Sequence, residues 1–262
     1  MNDKLRQLFS IAVGLPICLA IGASLILLIL KLDGALRIWG FLALFAISLV
    51  ILILNSAKNR KANRLVASLL DILQKEVKPE KFIEESEKAL EGTKNRALRS
   101  TLSLNLAVGY EAVGDYDSAI RIMKEIPIGT ADKLSKAMFY NNAAAFYAEK
   151  GAVEEGLEAY VLGQPHFMKA GKDIPISYLT LTKGLLAFAE EKYEEAVELF
   201  ENARSKGFDD RHSLTKLQLF YGRALAAMGR TKEARNMFSK VIQKKTYPFL
   251  LESAKKELEK LG

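Results

Sequence analysis

Residues Leu104–Pro127, LNLAVGYEAVGDYDSAIRIMKEIP, hold the pattern that decides the fold. Tyr110, Gly114, Tyr116 and Ala119 stand at spacings that let two short helices meet: Tyr110 closes the first, Gly114 supplies a turn, and Ala119 admits the second at close range. The pattern returns in NNAAAFYAEKGAVEEGLEAYVLGQP around Gly151, in TKGLLAFAEEKYEEAVELFENA around Tyr193 and in FYGRALAAMGRTKEARNMFSKVI around Gly229. Its turn positions, Gly114, Gly151, Glu191 and Gly229, recur every roughly 37 to 40 residues, the period of stacked helical hairpins.

These residues resemble the tetratricopeptide repeat (TPR), in which a small residue, Tyr, Gly, Tyr, Ala, an aromatic and Ala follow at fixed offsets. The first copy keeps Ala107, Tyr110, Gly114, Tyr116 and Ala119, with Met123 at the aromatic position and Ile126 at the last Ala. The second keeps Ala144, Tyr147, Gly151 and Tyr160, with Gly156 at the central Ala. In the third, Gly184, Tyr193, Ala196, Phe200 and Ala203 fit, Glu191 replaces the turn glycine and an aromatic is displaced to Phe188. The fourth keeps Gly222, Gly229, Ala234 and Phe238 but has Leu225 and Thr231 at the Tyr positions. Four copies in succession, from about Arg96 to Lys244, predict a helical solenoid; other helical repeats would give the same architecture. The resemblance implies an all-α chain whose repeat domain is a right-handed TPR-like α-solenoid.

The N-terminus reads differently. Leu8–Leu30 carries no charge, long enough to cross a hydrocarbon core of about 30 Å as a helix. A signal peptide fits poorly, because the apolar run is too long and no small-residue cleavage site follows it. Ile38–Leu54, extended by Ala35 and Leu36, predicts a second span, with Arg37 snorkelling and Trp39 at the interface. Residues 1–56 are thus expected to form a transmembrane hairpin with spans at about 8–30 and 36–54, turning tightly at KLDGALR. Ser10, Gly14, Cys18 and Gly22 line one face of the first span, suited to packing within the hairpin or against another helix. Cys18, the single cysteine, excludes an internal disulfide.

The net charge of +7 belongs to this region. Residues 1–64 hold eight Lys or Arg against Asp3 and Asp33, which leaves thirty basic and twenty-nine acidic residues beyond. A nucleic-acid partner is therefore not expected of the repeats. Lys4 and Arg6 before the first span, and Lys58, Arg60, Lys61 and Arg64 after the second, outnumber Lys31 and Arg37 in the turn. A multi-pass protein of the cell membrane with both termini cytoplasmic follows. The basic segment 57–64 either meets anionic lipids of the inner leaflet or serves only to fix topology.

From 65 to 262 the chain reads as the TPR-like domain. Leu65–Leu90 form a degenerate first hairpin, in which Pro79 opens a helix and Gly92 closes it. Gln164–Pro175 is expected to be a long inter-repeat loop. Pro248–Leu261 reads as an amphipathic helix that caps the last repeat.

No catalytic constellation emerges. His166 and His212 lack metal-ligand spacing, no phosphate-cradling glycine loop or nucleophile elbow is present, and neither metal nor cofactor is implied. Glu154 with Glu155, and Glu194 with Glu195, read as first-turn acids, and Asp209 and Asp210 as capping residues. What remains is surface. Superposed on the TPR pattern, the inner face is lined by Asn105, Val108, Asn141, Asn142, Ala145, Tyr178, Thr182, Leu185, Lys216, Phe220 and Arg223. Asn side chains suit an extended peptide's backbone, and Lys216 with Arg223 a carboxylate. In some TPR proteins a carboxylate clamp holds chaperone tails, but Phe220 stands where that clamp has an Arg. The sequence thus predicts a non-catalytic membrane-anchored scaffold that binds a protein, a peptide or its own copies. The alternative is an accessory subunit of a membrane transport, secretion or envelope complex, assembled through its spans.

Overall fold

A computed structural model describes residues 25–26, 28–31 and 34–262. They divide into two compact units, with the boundary between Asn63 and Arg64. All regular structure among the described residues is helical.

In the first unit, Leu25, Ile26 and Leu28–Leu30 are helical, Lys31 turns, and helix α1 begins at Gly34 and runs to Asp71. Ile29 is buried in the notch above Gly40, where an added Cβ would lie 3.0 Å from its side chain. Ile38–Glu76 is the one helical stretch among the described residues long and apolar enough to cross a membrane. It contains most of the second predicted span. Most of the first span, and the stripe from Ser10 to Gly22, lie outside the described residues. No Gly or Pro interrupts Ala57–Arg64, and α1 continues through it.

In the second unit, α1 ends in a π-helical turn at Ile72–Glu76, and Val77 adopts a left-handed conformation with φ 61°. The helices that follow are α2 (Pro79–Glu91), α3 (Arg96–Ala112), α4 (Tyr116–Glu125), α5 (Lys133–Lys150), α6 (Val153–Ala170), α7 (Ile176–Ala189), α8 (Tyr193–Lys206), α9 (Arg211–Ala227), α10 (Thr231–Ile242) and α11 (Pro248–Lys260). The four sequence copies are the pairs α3/α4, α5/α6, α7/α8 and α9/α10.

One turn geometry serves all four pairs. The residue after each turn position donates its N–H to the carbonyl five residues earlier: Asp115 to Tyr110, Ala152 to Tyr147, Lys192 to Ala187 and Arg230 to Leu225, at 2.8–2.9 Å. Such a wrapped helix end needs a left-handed residue, and the turn positions have φ of 80°, 85°, 62° and 75°. Glu191 adopts it without a glycine's freedom. Elsewhere small and large residues interlock. A Cβ on Gly184 would fall 2.6 Å from the Phe200 ring, and one on Gly222 2.5 Å from Phe238, so each glycine lets the aromatic of its paired helix sit flush. Phe82, Phe146, Phe200 and Phe238, in α2, α5, α8 and α10, are fully buried.

Two features depart from the sequence reading. Gln164–Pro175 is not a loop for most of its length: α6 continues through Pro165 to Ala170, and only Gly171–Asp173 form a short 3₁₀ turn. Phe167 and Ala170 are drawn into an apolar cluster with Ala137, Ile174 and Leu179, while Pro165 lies on the exposed side of the helix. The cap also reaches further than the last repeat. The Phe249 ring occupies the space above Gly114 and meets Tyr116 edge-on at 6.2 Å, and the Tyr247 hydroxyl donates to the Leu73 carbonyl at 3.1 Å. The last element thereby touches the first hairpins.

Candidate partner-binding cavity

The first helices of the four pairs stack side by side, and their inner faces form most of the lining of a cavity of about 420 Å³. Asn105 of α3, Asn141 and Asn142 of α5, Tyr178, Thr182 and Leu185 of α7 and Lys216 of α9 all line it. Asn105, Asn142 and Tyr178 are half-buried, whereas Thr182 and Leu185 are buried in the wall. Asn141 is buried too, and its Oδ1 has no hydrogen-bond partner. The Tyr178 hydroxyl donates to Asp210, whose other oxygen caps α9 by accepting from the Ser213 N–H at 2.7 Å. Asp210 therefore has the capping role read from sequence and also fixes the Tyr178 ring.

The floor of the cavity carries a buried charge cluster that joins three repeats. Lys216 Nζ lies 2.7 Å from Glu111 Oε1 and 2.8 Å from Glu149 Oε1, and His212 Nε2 lies 2.7 Å from Glu111 Oε2. Burial works against the Glu111 carboxylate, but the charges of His212 and Lys216 and their hydrogen bonds outweigh it and hold its pKa at about 2. Glu149 is pushed up to about 7, chiefly by burial and further by Glu111, against the pull of Lys216. Burial also opposes the Lys216 ammonium, yet the two carboxylates raise its pKa. Burial and the same carboxylates raise the Tyr116 hydroxyl. An unpaired buried charge costs several kcal/mol, roughly, so these groups exist here only together.

That cluster changes the assignment of the expected cations. Lys216 is nine-tenths buried and its charge is met by two carboxylates of its own chain, so it is not the free cation expected for a peptide carboxylate. Phe220 does not line the cavity. It is 4% exposed and packs edge-on against Phe188 of the neighbouring repeat at 5.5 Å. Arg223 lies over the Phe220 ring and pairs with Glu257 of α11 at 2.9 Å, so the chain's own last helix supplies its carboxylate. Arg60, Lys61 and Arg64 stand exposed along α1. In the sequence His212 is considered only as a metal ligand, and Glu111 and Glu149 are not singled out, although one sign is present. Leu104, Ala107, Val108 and Glu111 form an i, i+3, i+4, i+7 stripe, and a carboxylate within an apolar stripe has to find a cation.

The tetratricopeptide repeat family model matches residues 101–126, spanning most of α3 and all of α4. No curated protein matches the chain. Among solved structures, it is similar to a tetratricopeptide repeat protein from Parabacteroides merdae, at 16% identity, covering 77% of this chain and 73% of that one with a TM-score of 0.39. It is also similar to a protein from Podosopora anserina described by its "kinesin light chain nearly identical TPR-like repeats", at 21% identity, covering 70% of this chain and 93% of that one with a TM-score of 0.42. The matched tetratricopeptide repeat is followed by three further helical hairpins that repeat its turn geometry, at Gly151, Glu191 and Gly229.

Proposed function

We propose that this protein is a membrane-anchored, non-catalytic scaffold that holds a protein or peptide partner in the cavity of its repeat domain on the cytoplasmic side. The observation that carries the reading is the convergence of Asn105, Asn141, Asn142, Tyr178 and Thr182, from three successive first helices, on one cavity. Amide and hydroxyl groups along a shallow wall suit the alternating donors and acceptors of an extended main chain, and Leu134, Met138 and Ile174 offer an apolar seat beside them. The membrane part of the reading is supported by the length and apolarity of the Ile38–Glu76 stretch and by the Lys and Arg that flank the apolar runs.

Asn105 and Asn142 are half-exposed and belong to neither the charge cluster nor the core, so Asn105→Arg with Asn142→Arg fills the cavity mouth while sparing the fold. Proximity labelling from the full chain in its native membrane, compared between wild type and this double variant, is expected to lose its specific partners. An unchanged set of labelled proteins would remove the cavity as their site. Topology is checked separately. A reporter fused after Gly262 is expected to report a cytoplasmic C-terminus, and activity on the other side of the membrane overturns the cytoplasmic placement of the repeat domain.

A further inference from the structure

Six Leu, Ile, Val or Met side chains stand exposed between residues 64 and 262, and four of them belong to α6: Leu157 at 37%, Val161 at 59%, Leu162 at 53% and Met168 at 77%. With Pro165, the residues Leu157, Val161 and Met168 fall at i, i+4, i+8 and i+11, which places them on a single stripe of the helix. Nothing among the described residues covers this stripe, while the opposite face of α6 is buried through Gly156, Ala159, Gly163 and Phe167. The residues that make α6 run to eighteen positions, Gln164–Ala170, are the ones that add Met168 and Lys169 to it.

The charges beside the stripe are ordered. Glu154, Glu155 and Glu158 occupy the first half of α6, Lys169 its last turn, and Lys172 follows its end. Glu158 and Lys169 lie on the same flank of the stripe, about three turns apart. Among the described residues neither has an ion-pair partner. Two copies of α6 packed antiparallel about a two-fold axis near Gly163 would bring Leu157 of one against Met168 of the other and set the two Val161 side chains near the axis. The same operation lays Glu158 of each copy beside Lys169 of the other. A parallel arrangement would set acid against acid instead.

We propose that this face of α6 is a homodimer interface, its occupant a second copy of the same helix in antiparallel orientation. Isologous contact of this kind uses one patch twice and closes without further growth. No residue of α6 lines the cavity, so a dimer formed here leaves two cavities open and makes the scaffold bivalent. A helix about 27 Å long gives a contact at the small end of specific interfaces, so the association is expected to depend on concentration.

Sedimentation velocity of the full chain in density-matched detergent micelles tests this, with circular dichroism melting on every variant to confirm that the helices remain folded. Wild type is expected to move from monomer to dimer as concentration rises, and Val161→Glu to stay monomeric. Glu158→Lys and Lys169→Glu should each weaken dimerisation at least tenfold, and the two combined in one chain should restore it. With Cys18→Ser, Val161→Cys should form a disulfide-linked dimer. A wild type that remains monomeric at the highest attainable concentration overturns the proposal. So does a dimer that survives Val161→Glu, which would assign the contact to another surface such as the apolar N-terminal segment, and so does a double reversal that fails to restore association.

Discussion

Glu149→Gln keeps the shape and the acceptor oxygen of a fully buried side chain and removes only its charge. In the wild type this carboxyl titrates at about 7 instead of the ordinary 4.5. Each unit of such a displacement corresponds to about 1.4 kcal/mol, so keeping Glu149 ionised in the fold costs about 3 kcal/mol. The sign follows from which state holds the proton. Between 4.5 and about 7 the folded chain binds a proton that the unfolded chain has released, so the stability contributed by protonated Glu149 is complete below 4.5 and lost as pH rises through about 7. Glu111 has the opposite sign. Its carboxylate, held at about 2, contributes stability above 4.5 that disappears only as pH falls towards 2. Between pH 5 and 8 the difference between wild type and Glu149→Gln therefore isolates Glu149, because His212 and Lys216 are common to both. Thermal melting of the full chain by circular dichroism is expected to show wild type losing stability from pH 5 to 8 relative to the variant. About 3 kcal/mol corresponds to roughly 6–12 °C for a domain of this size. At pH 8 the variant should be the more stable protein. Parallel pH profiles for the two proteins would refute the account, since they would mean that Glu149 is ionised without penalty or is not buried beside Glu111.

Glu191→Gly should raise stability by about 1 kcal/mol by relieving a left-handed non-glycine residue, read as an upward shift of the melting temperature; no change would mean that the φ of 62° carries no strain. Phe220→Ala should lower stability by about 3–5 kcal/mol, because the ring is 4% exposed against Phe188, and any loss of partner capture should track the loss of folding. Capture lost from a variant that melts like wild type would return Phe220 to the binding surface.

The repeats were legible because their signals are local. Turn position, left-handed φ and the small residue that admits a neighbouring ring all lie within one helical hairpin, so Gly114, Gly151, Gly229 and even the substituted Glu191 could be located by spacing alone. The cavity wall was legible in the same way, since Asn105, Asn142 and Tyr178 occupy corresponding faces of successive first helices. What failed depended on distance along the chain. Lys216 looked available to a ligand because its two carboxylates lie 67 and 105 positions earlier, and Arg223 because Glu257 lies in a helix expected only to cover the last repeat. Gln164–Pro175 was misread for a different reason. Proline and glycine suggested a loop, but the burial of Phe167 and Ala170 outweighs the single backbone hydrogen bond that Pro165 cannot make.

The reach of α11 back to Gly114 and of Tyr247 to Leu73 bears on how the domain comes apart. An array in which each repeat touches only its neighbours unfolds from its free ends inward, and its outer hairpins exchange their amide protons first. Here the hairpin that begins the array and the helix that ends it hold one another, so fraying at either terminus breaks a contact that the other needs. Amide exchange across Leu73–Leu261 is accordingly expected to be levelled, with end helices protected nearly as well as α7. Folding is expected to be slower than in an open array of equal length, because its closing contacts join residues separated by most of the domain.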